Sequence, residues 1–99
     1  MLITTSDTEI TVKLSGEIDH HSALPIRTKV DSAITMANPK QLILDFSKVS
    51  FMDSSGVGLV IGRYKKARAK NCRLIVQGLS ARDEKMMKLS GLQKMVEFR

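Results

Sequence analysis

The sequence is poor in aromatic rings, with no tryptophan, one tyrosine and three phenylalanines in 99 residues. Single-stranded nucleic acid is commonly held by stacking its bases on such rings, so a direct nucleic-acid partner is not expected. Without large rings, the core must be built from valine, isoleucine, leucine and methionine. Cysteine is nearly absent as well: Cys72 stands alone, no internal disulfide can form, and the usage fits a reducing cytoplasm. No apolar run approaches the roughly 18 residues needed to cross a bilayer. The start, "MLITTSDTEI", lacks the basic head and apolar middle of a secretion signal. Together these absences point to a cytoplasmic protein with no membrane partner. A chain of 99 residues makes one compact domain, large enough to fold without metal or disulfide staples.

The charge is unbalanced. Sixteen Lys and Arg against ten Asp and Glu leave a net charge of +6. Much of the excess sits in "RYKKARAK", residues 63–70, and in the last fifteen residues. Such a balance permits an acidic partner, but charge alone gives only non-specific binding. The simplest reading of the basic run is a solvated helix face.

Periodicity sets out the elements. "LITT" and "TEITVKLSGEI" (residues 8–18) read as two strands joined by "SDTE", the second alternating Ile10, Val12 and Leu14 with polar neighbours. Residues 22–36 switch to helical spacing, with Ile26, Val30 and Ile34 four apart. Ser22 is a candidate N-cap, Pro25 is tolerable only in the first turn, and "ANPK" stops the helix. "QLILDF", residues 41–46, has the near-continuous apolar run of a central strand covered on both faces. A helix from about Ser54 to Lys70, a strand "CRLIVQG", a helix over 80–91 capped by Ser80 and stopped by Gly91, and a strand "MVEF" complete the chain. The order β-β-α-β-α-β-α-β predicts an α/β sandwich. Its sheet is mostly parallel with an antiparallel edge hairpin, and helices pack against it.

Two loops stand out. "FMDSSGVG" lies at a strand-to-helix junction, where function concentrates in open α/β sheets. Asp53 can cap the helix, whose first turn offers unpaired N–H groups and a partial positive charge. On the wheel, Val57, Val60, Ile61 and Tyr64 form the inward stripe, whereas Ser54, Gly58 and Gly62, four apart, form another. A glycine inside a helix costs about 0.8–1 kcal/mol against alanine. A stripe of them therefore either admits a close neighbour within the fold or leaves a flat face for a partner. "GEIDHHSA" places Asp19, His20 and His21 in a second loop between strand and helix, with Asp19 or Ser22 as the cap of that helix. One carboxylate and two adjacent histidines fall short of a metal-ligand spacing, so no metal is expected. "DSSG" lacks the G-x-S-x-G elbow, "GVGLVIG" has the wrong spacing for a dinucleotide loop, and no Walker A pattern exists. Neither an enzyme nor a cofactor is indicated. A phosphate- or nucleotide-binding module using the amides at the helix start stands as the alternative to a protein-binding one.

"GEIDHHSA", followed by "LDFSKVSFMDSSGVGLVIGRYK" and "LSGLQKMVEF", closely resembles the anti-sigma-factor antagonists of the STAS domain class, its sporulation members in particular. The resemblance covers nearly the whole chain. It implies a regulatory protein whose serine directly after the aspartate, here Ser54, is phosphorylated by an anti-sigma factor that is also a serine kinase. The unmodified form would bind that kinase and free the sigma factor, and a serine phosphatase would reset the modified form. Partner contacts are implied at Asp19, His20, His21, Asp53, Ser55, Gly56, Val57, Gly58 and Gly62. Relatives commonly continue into a further helix beyond the last strand, so the chain stops short of the family pattern at Arg99.

Overall fold

The computed structural model describes residues 1–99. β1 (Leu2–Thr5) and β2 (Glu9–Ile18) form the edge hairpin, where the Ser6 N–H donates to Glu9 O at 2.8 Å. Then follow α1 (His20–Ala37), β3 (Gln41–Met52), α2 (Ser55–Ala69), β4 (Arg73–Gln77), α3 (Ala81–Leu89), a 3-10 turn at Leu92–Lys94, and β5 (Glu97–Phe98). The sheet order is β1-β2-β3-β4-β5, with β1 antiparallel to β2 and every other pair parallel. The α/β architecture expected from the alternation of strands and helices is the one observed.

Consecutive parallel strands advance in one direction across the sheet, and right-handed crossovers then send all the helices to one face. The core reflects this. Ile10, Val12, Leu14, Leu42, Leu44, Phe46, Leu74 and Val76 pack in one cluster with Ile26, Val30, Val57, Val60, Met87 and Leu92 from the helical layer. Alternate residues Ile43 and Ile75 are buried but lie outside that cluster. The apolar run of β3 is thus not covered by helices on both faces, as its composition suggested.

β3 also runs six residues further than its apolar segment. β4 accompanies it only as far as Asp45, opposite Gln77; beyond that point β2 is its sole neighbour. With less around them, Ser47, Lys48, Ser50 and Phe51 are exposed, and their polar pattern reads as a loop although the backbone is strand. At the α-helical ends, Asn38 takes the left-handed conformation that stops α1, and Ser80 caps α3 by accepting from Asp83 N at 3.1 Å. Cys72 is buried, which pushes its thiol pKa up.

α1 and α2 lie side by side, and their contact holds a buried charge. Arg63, within the basic run expected to be solvated, is only 4% exposed. Its Nε lies 2.7 Å from Asp31 Oδ1, and Nη2 donates to Oδ2 at 3.3 Å. α2 therefore buries two surfaces rather than one. Val57 and Val60 face the sheet with the partly covered Ile61 and Tyr64 beside them, while Leu59, Arg63 and Ala67 are also buried.

Beyond β4, Gly78 has φ of +76°, and a Cβ there would stand 2.8 Å from Ser47 N. Gly91 has φ of +87° with nothing within 4 Å of the added atom. Gly78→Ala should therefore lower stability by about 2–3 kcal/mol and Gly91→Ala by about 1 kcal/mol, the difference being the backbone clash. Urea denaturation of the two variants against the parent measures both.

Candidate functional site

β2 and β3 stay paired to their last residues, with Glu17 opposite Phe51 and Ile18 opposite Met52. The Asp53 N–H donates to Ile18 O at 3.1 Å, so the two chains leave the sheet side by side. Each then meets an aspartate and turns into a helix. The two candidate loops of the sequence become one surface.

Asp19 is the N-cap of α1. Its backbone is extended, and Oδ1 accepts from His21 N at 3.0 Å and Ser22 N at 2.9 Å. Ser22 is not the cap that the spacing suggested. It is the third helical residue, and its hydroxyl reciprocates by accepting from Asp19 N at 3.0 Å while donating to Glu17 O at 2.9 Å. This capping box starts the helix two residues early, so His20 and His21 are exposed on its first turn rather than in a loop. Their rings meet edge to face with centroids 5.9 Å apart. Pro25, moved into the second turn, cannot donate to the carbonyl of His21. The Asp19 carboxyl is held below its ordinary pKa, first by the Ser22 N–H, with His21 N–H, the Ser22 hydroxyl and the nearby His21 also favouring the anion against a cost of desolvation.

Asp53 plays the corresponding part for α2, accepting from Ser55 N at 2.8 Å. Its carbonyl takes the Gly56 N–H at 3.0 Å, and Ser54 O takes those of Val57 and Gly58. Ser54 itself already has helical angles, φ −62° and ψ −14°, and its side chain makes no capping hydrogen bond. Its hydroxyl is exposed and uncommitted, held on a fixed backbone. Ser55 is half-buried and lines a groove of about 420 Å³ between α1 and α2, together with His20 and Gly58.

The glycines divide into two kinds. Gly56 is buried, and a Cβ on it would collide with Met52 Sδ and Cγ. Val57 is buried next to it. Both shape the site from below, and neither presents a side chain to a partner. Gly58 and Gly62 have no atom within 4 Å of an added Cβ. Of the two readings of the small-residue stripe, close approach within the fold does not occur; the stripe is an open face. Spacing did not disclose Phe51, two residues before Asp53 and 47% exposed, with the Arg82 guanidinium 5.8 Å from its ring. Nor did it disclose Arg27 and Arg63 on the groove wall. The i, i+4 line Leu59–Arg63–Ala67 is the one trace of the buried arginine in the sequence.

The STAS domain model matches residues 1–99. The chain belongs to the STAS domain family. An anti-sigma F factor antagonist of Lysinibacillus sphaericus is 40% identical over 83 residues, 84% of this chain and 71% of that protein. Unphosphorylated SpoIIAA, an anti-sigma factor antagonist, superposes with a TM-score of 0.80 at 32% identity, covering 99% of this chain and 86% of the other. The phosphorylated form of the Bacillus cell fate determinant SpoIIAA gives 0.79 at 34% identity, covering 99% and 89%. In this STAS domain no helix is long and apolar enough to cross a membrane.

Because the folded Asp19 pKa lies below its ordinary 3.8, the cap's contribution to stability is full above that value and is lost as pH falls through the lower, folded one. Asp19→Asn should accordingly be less stable than the parent at neutral pH, with the gap narrowing as the pH is taken below 3.8; urea midpoints across that titration report it. Gly58→Ala should raise stability by about 0.8–1 kcal/mol, since the added methyl meets nothing, and thermal unfolding reads that gain directly.

Proposed function

We propose that this STAS domain is an anti-sigma-factor antagonist controlled at Ser54. The unmodified protein binds an anti-sigma factor with serine-kinase activity, and the sigma factor held by that kinase is released. Phosphorylation of Ser54 ends the interaction, and a serine phosphatase restores it. The role is that of a regulatory binding protein, acting in the cytoplasm and without a cofactor. The observation that carries this reading is the state of Ser54: exposed, on helical backbone, and free of the cap hydrogen bond that its position would ordinarily claim. Asp53 has taken over the cap, so modifying Ser54 removes nothing from the fold.

The chemistry of the switch follows from the surroundings. A phosphate brings about 1.5–2 negative charges to a surface that already carries the carboxylates of Asp19 and Asp53. The flat stripe of Gly58 and Gly62 continues from Ser54, so a partner lying on it comes within reach of the hydroxyl. Charge and bulk inserted there break a close contact without requiring any rearrangement of the protein. A loss of about 3 kcal/mol weakens binding more than a hundredfold.

The alternative of a small phosphate ligand on the α2 amides finds less support. The N–H groups of Ser55, Gly56, Val57 and Gly58 all donate within the chain. An anion arriving there would displace Asp53 rather than fill a gap.

Ser54→Asp should abolish binding to the anti-sigma factor, whereas Ser54→Ala should bind as the parent does and resist inactivation by kinase and ATP. Calorimetric titration together with mass spectrometric location of the phosphate tests both. Phosphate found elsewhere, or Ser54→Asp binding with parental affinity, refutes the switch. Gly58→Ala should weaken the same complex about tenfold while stabilising the free protein.

A further inference from the structure

Below the two acidic caps, the groove between α1 and α2 carries the opposite charge. Arg27 lines it from α1 and Arg63 from α2. The single carboxylate between the helices, Asp31, is already paired with Arg63. Arg63 is 96% withdrawn from solvent, and its Nη1 is buried with no hydrogen-bond partner. Arg27 has no carboxylate within ion-pair distance, and it lies close enough to oppose the charge on Arg63. Arg63 thus takes the one carboxylate and Arg27 has none, which leaves the groove with an uncompensated positive charge and Arg63 with a buried donor lacking a partner. The lip is apolar, since Leu24 is 55% exposed there.

We propose that this groove receives an acidic side chain, aspartate or glutamate, of the anti-sigma factor, with an apolar neighbour of that residue covering Leu24. The inference rests on the function proposed above and names the chemistry by which the partner is recognised. Three observations favour a protein carboxylate over a free anion. The groove is continuous with the Ser54 surface through Ser55 and Gly58, which stand one residue and about one turn from it on α2. The exposed leucine beside the arginines suits a side chain attached to a chain. The surface as a whole is bipolar, acidic at Asp19 and Asp53 and basic in the groove, which fixes the orientation of a complementary partner. A phosphate on Ser54, next to the groove-lining Ser55, then repels the incoming carboxylate.

Arg27 is exposed and makes no ion pair, so its replacement leaves the fold in place. The test is calorimetric titration of the full chain with the purified anti-sigma factor of the same organism, bound to a non-hydrolysable ATP analogue, at low and high salt. Arg27→Ala should weaken binding about tenfold, and Arg27→Glu about a hundredfold, with a shallower salt dependence in both. If Arg27→Glu binds like the parent while Ser54→Asp does not bind, the groove assignment is wrong and the switch stands. If Ser54→Asp also binds like the parent, the underlying reading is wrong. A parallel NMR titration with inorganic phosphate separates the free-anion case. Saturable shifts at Arg27 and Arg63 in the micromolar range would overturn the proposal in favour of a small-ligand site, and their absence supports it.

Discussion

The arrangement depends on the pairing of β2 with β3. From Ile10 opposite Leu42 to Ile18 opposite Met52, β3 uses two more residues than β2, taken up at two register shifts. A single shift would turn every later side chain of one strand to the other face. Two shifts restore the phase, so Ile18 and Met52 are both fully buried at the end of the pair. Only with that phase restored do Asp19 and Asp53 leave the sheet next to each other. Gly16, at φ +74°, sits at the second shift, where a β-bulge needs the left-handed conformation. The site is therefore a property of strand geometry some distance below it.

The caps convert this geometry into an exposed serine. A serine immediately before a helix would ordinarily turn its hydroxyl to the amides of the first turn. Here α1 and α2 each begin with an aspartate that does this instead, and each carboxylate sits at the positive end of the helix it caps. Ser54 is left as a helical residue with nothing to hold. The glycines complete the effect from opposite sides. Gly56 lets α2 descend onto Met52, while Gly58 and Gly62 keep its outer surface bare. Stability is given up in the second case and gained in the first, although the residue type is the same.

Much of this was legible in the sequence because it depends on local pattern. Alternation in "TEITVKL", helical spacing of Ile26, Val30 and Ile34, and Asp53 before the second helix each follow from rules that look a few residues along the chain. What was not legible depends on distant partners. The second half of β3 reads as loop because its polarity reflects the lack of β4 beside it, not a lack of strand backbone. Arg63 reads as solvated because only Asp31, thirty-two residues away, accounts for its burial. Ser22 and Asp19 both look like caps, and the choice is made by the Glu17 carbonyl that engages the serine hydroxyl. Spacing separated Ser54, Gly58 and Gly62 from the inward stripe, but could not say whether the fold itself covered them.

The buried ion pair decides what kind of switch such a surface can be. An apolar contact between α1 and α2 would let the helices slide by small rearrangements of methyl groups. Arg63 and Asp31 resist this, because separating them leaves a charge in a place withdrawn from water, at a cost of several kcal/mol. The platform beneath Ser54 is thus held against the modest forces that one surface phosphate can exert. A rigid platform of this kind carries information only through what its surface presents, and here that is the charge at the edge of a flat helix face. The switch proposed at Ser54 is therefore one of contact chemistry rather than of shape, because of how α1 and α2 are tied together.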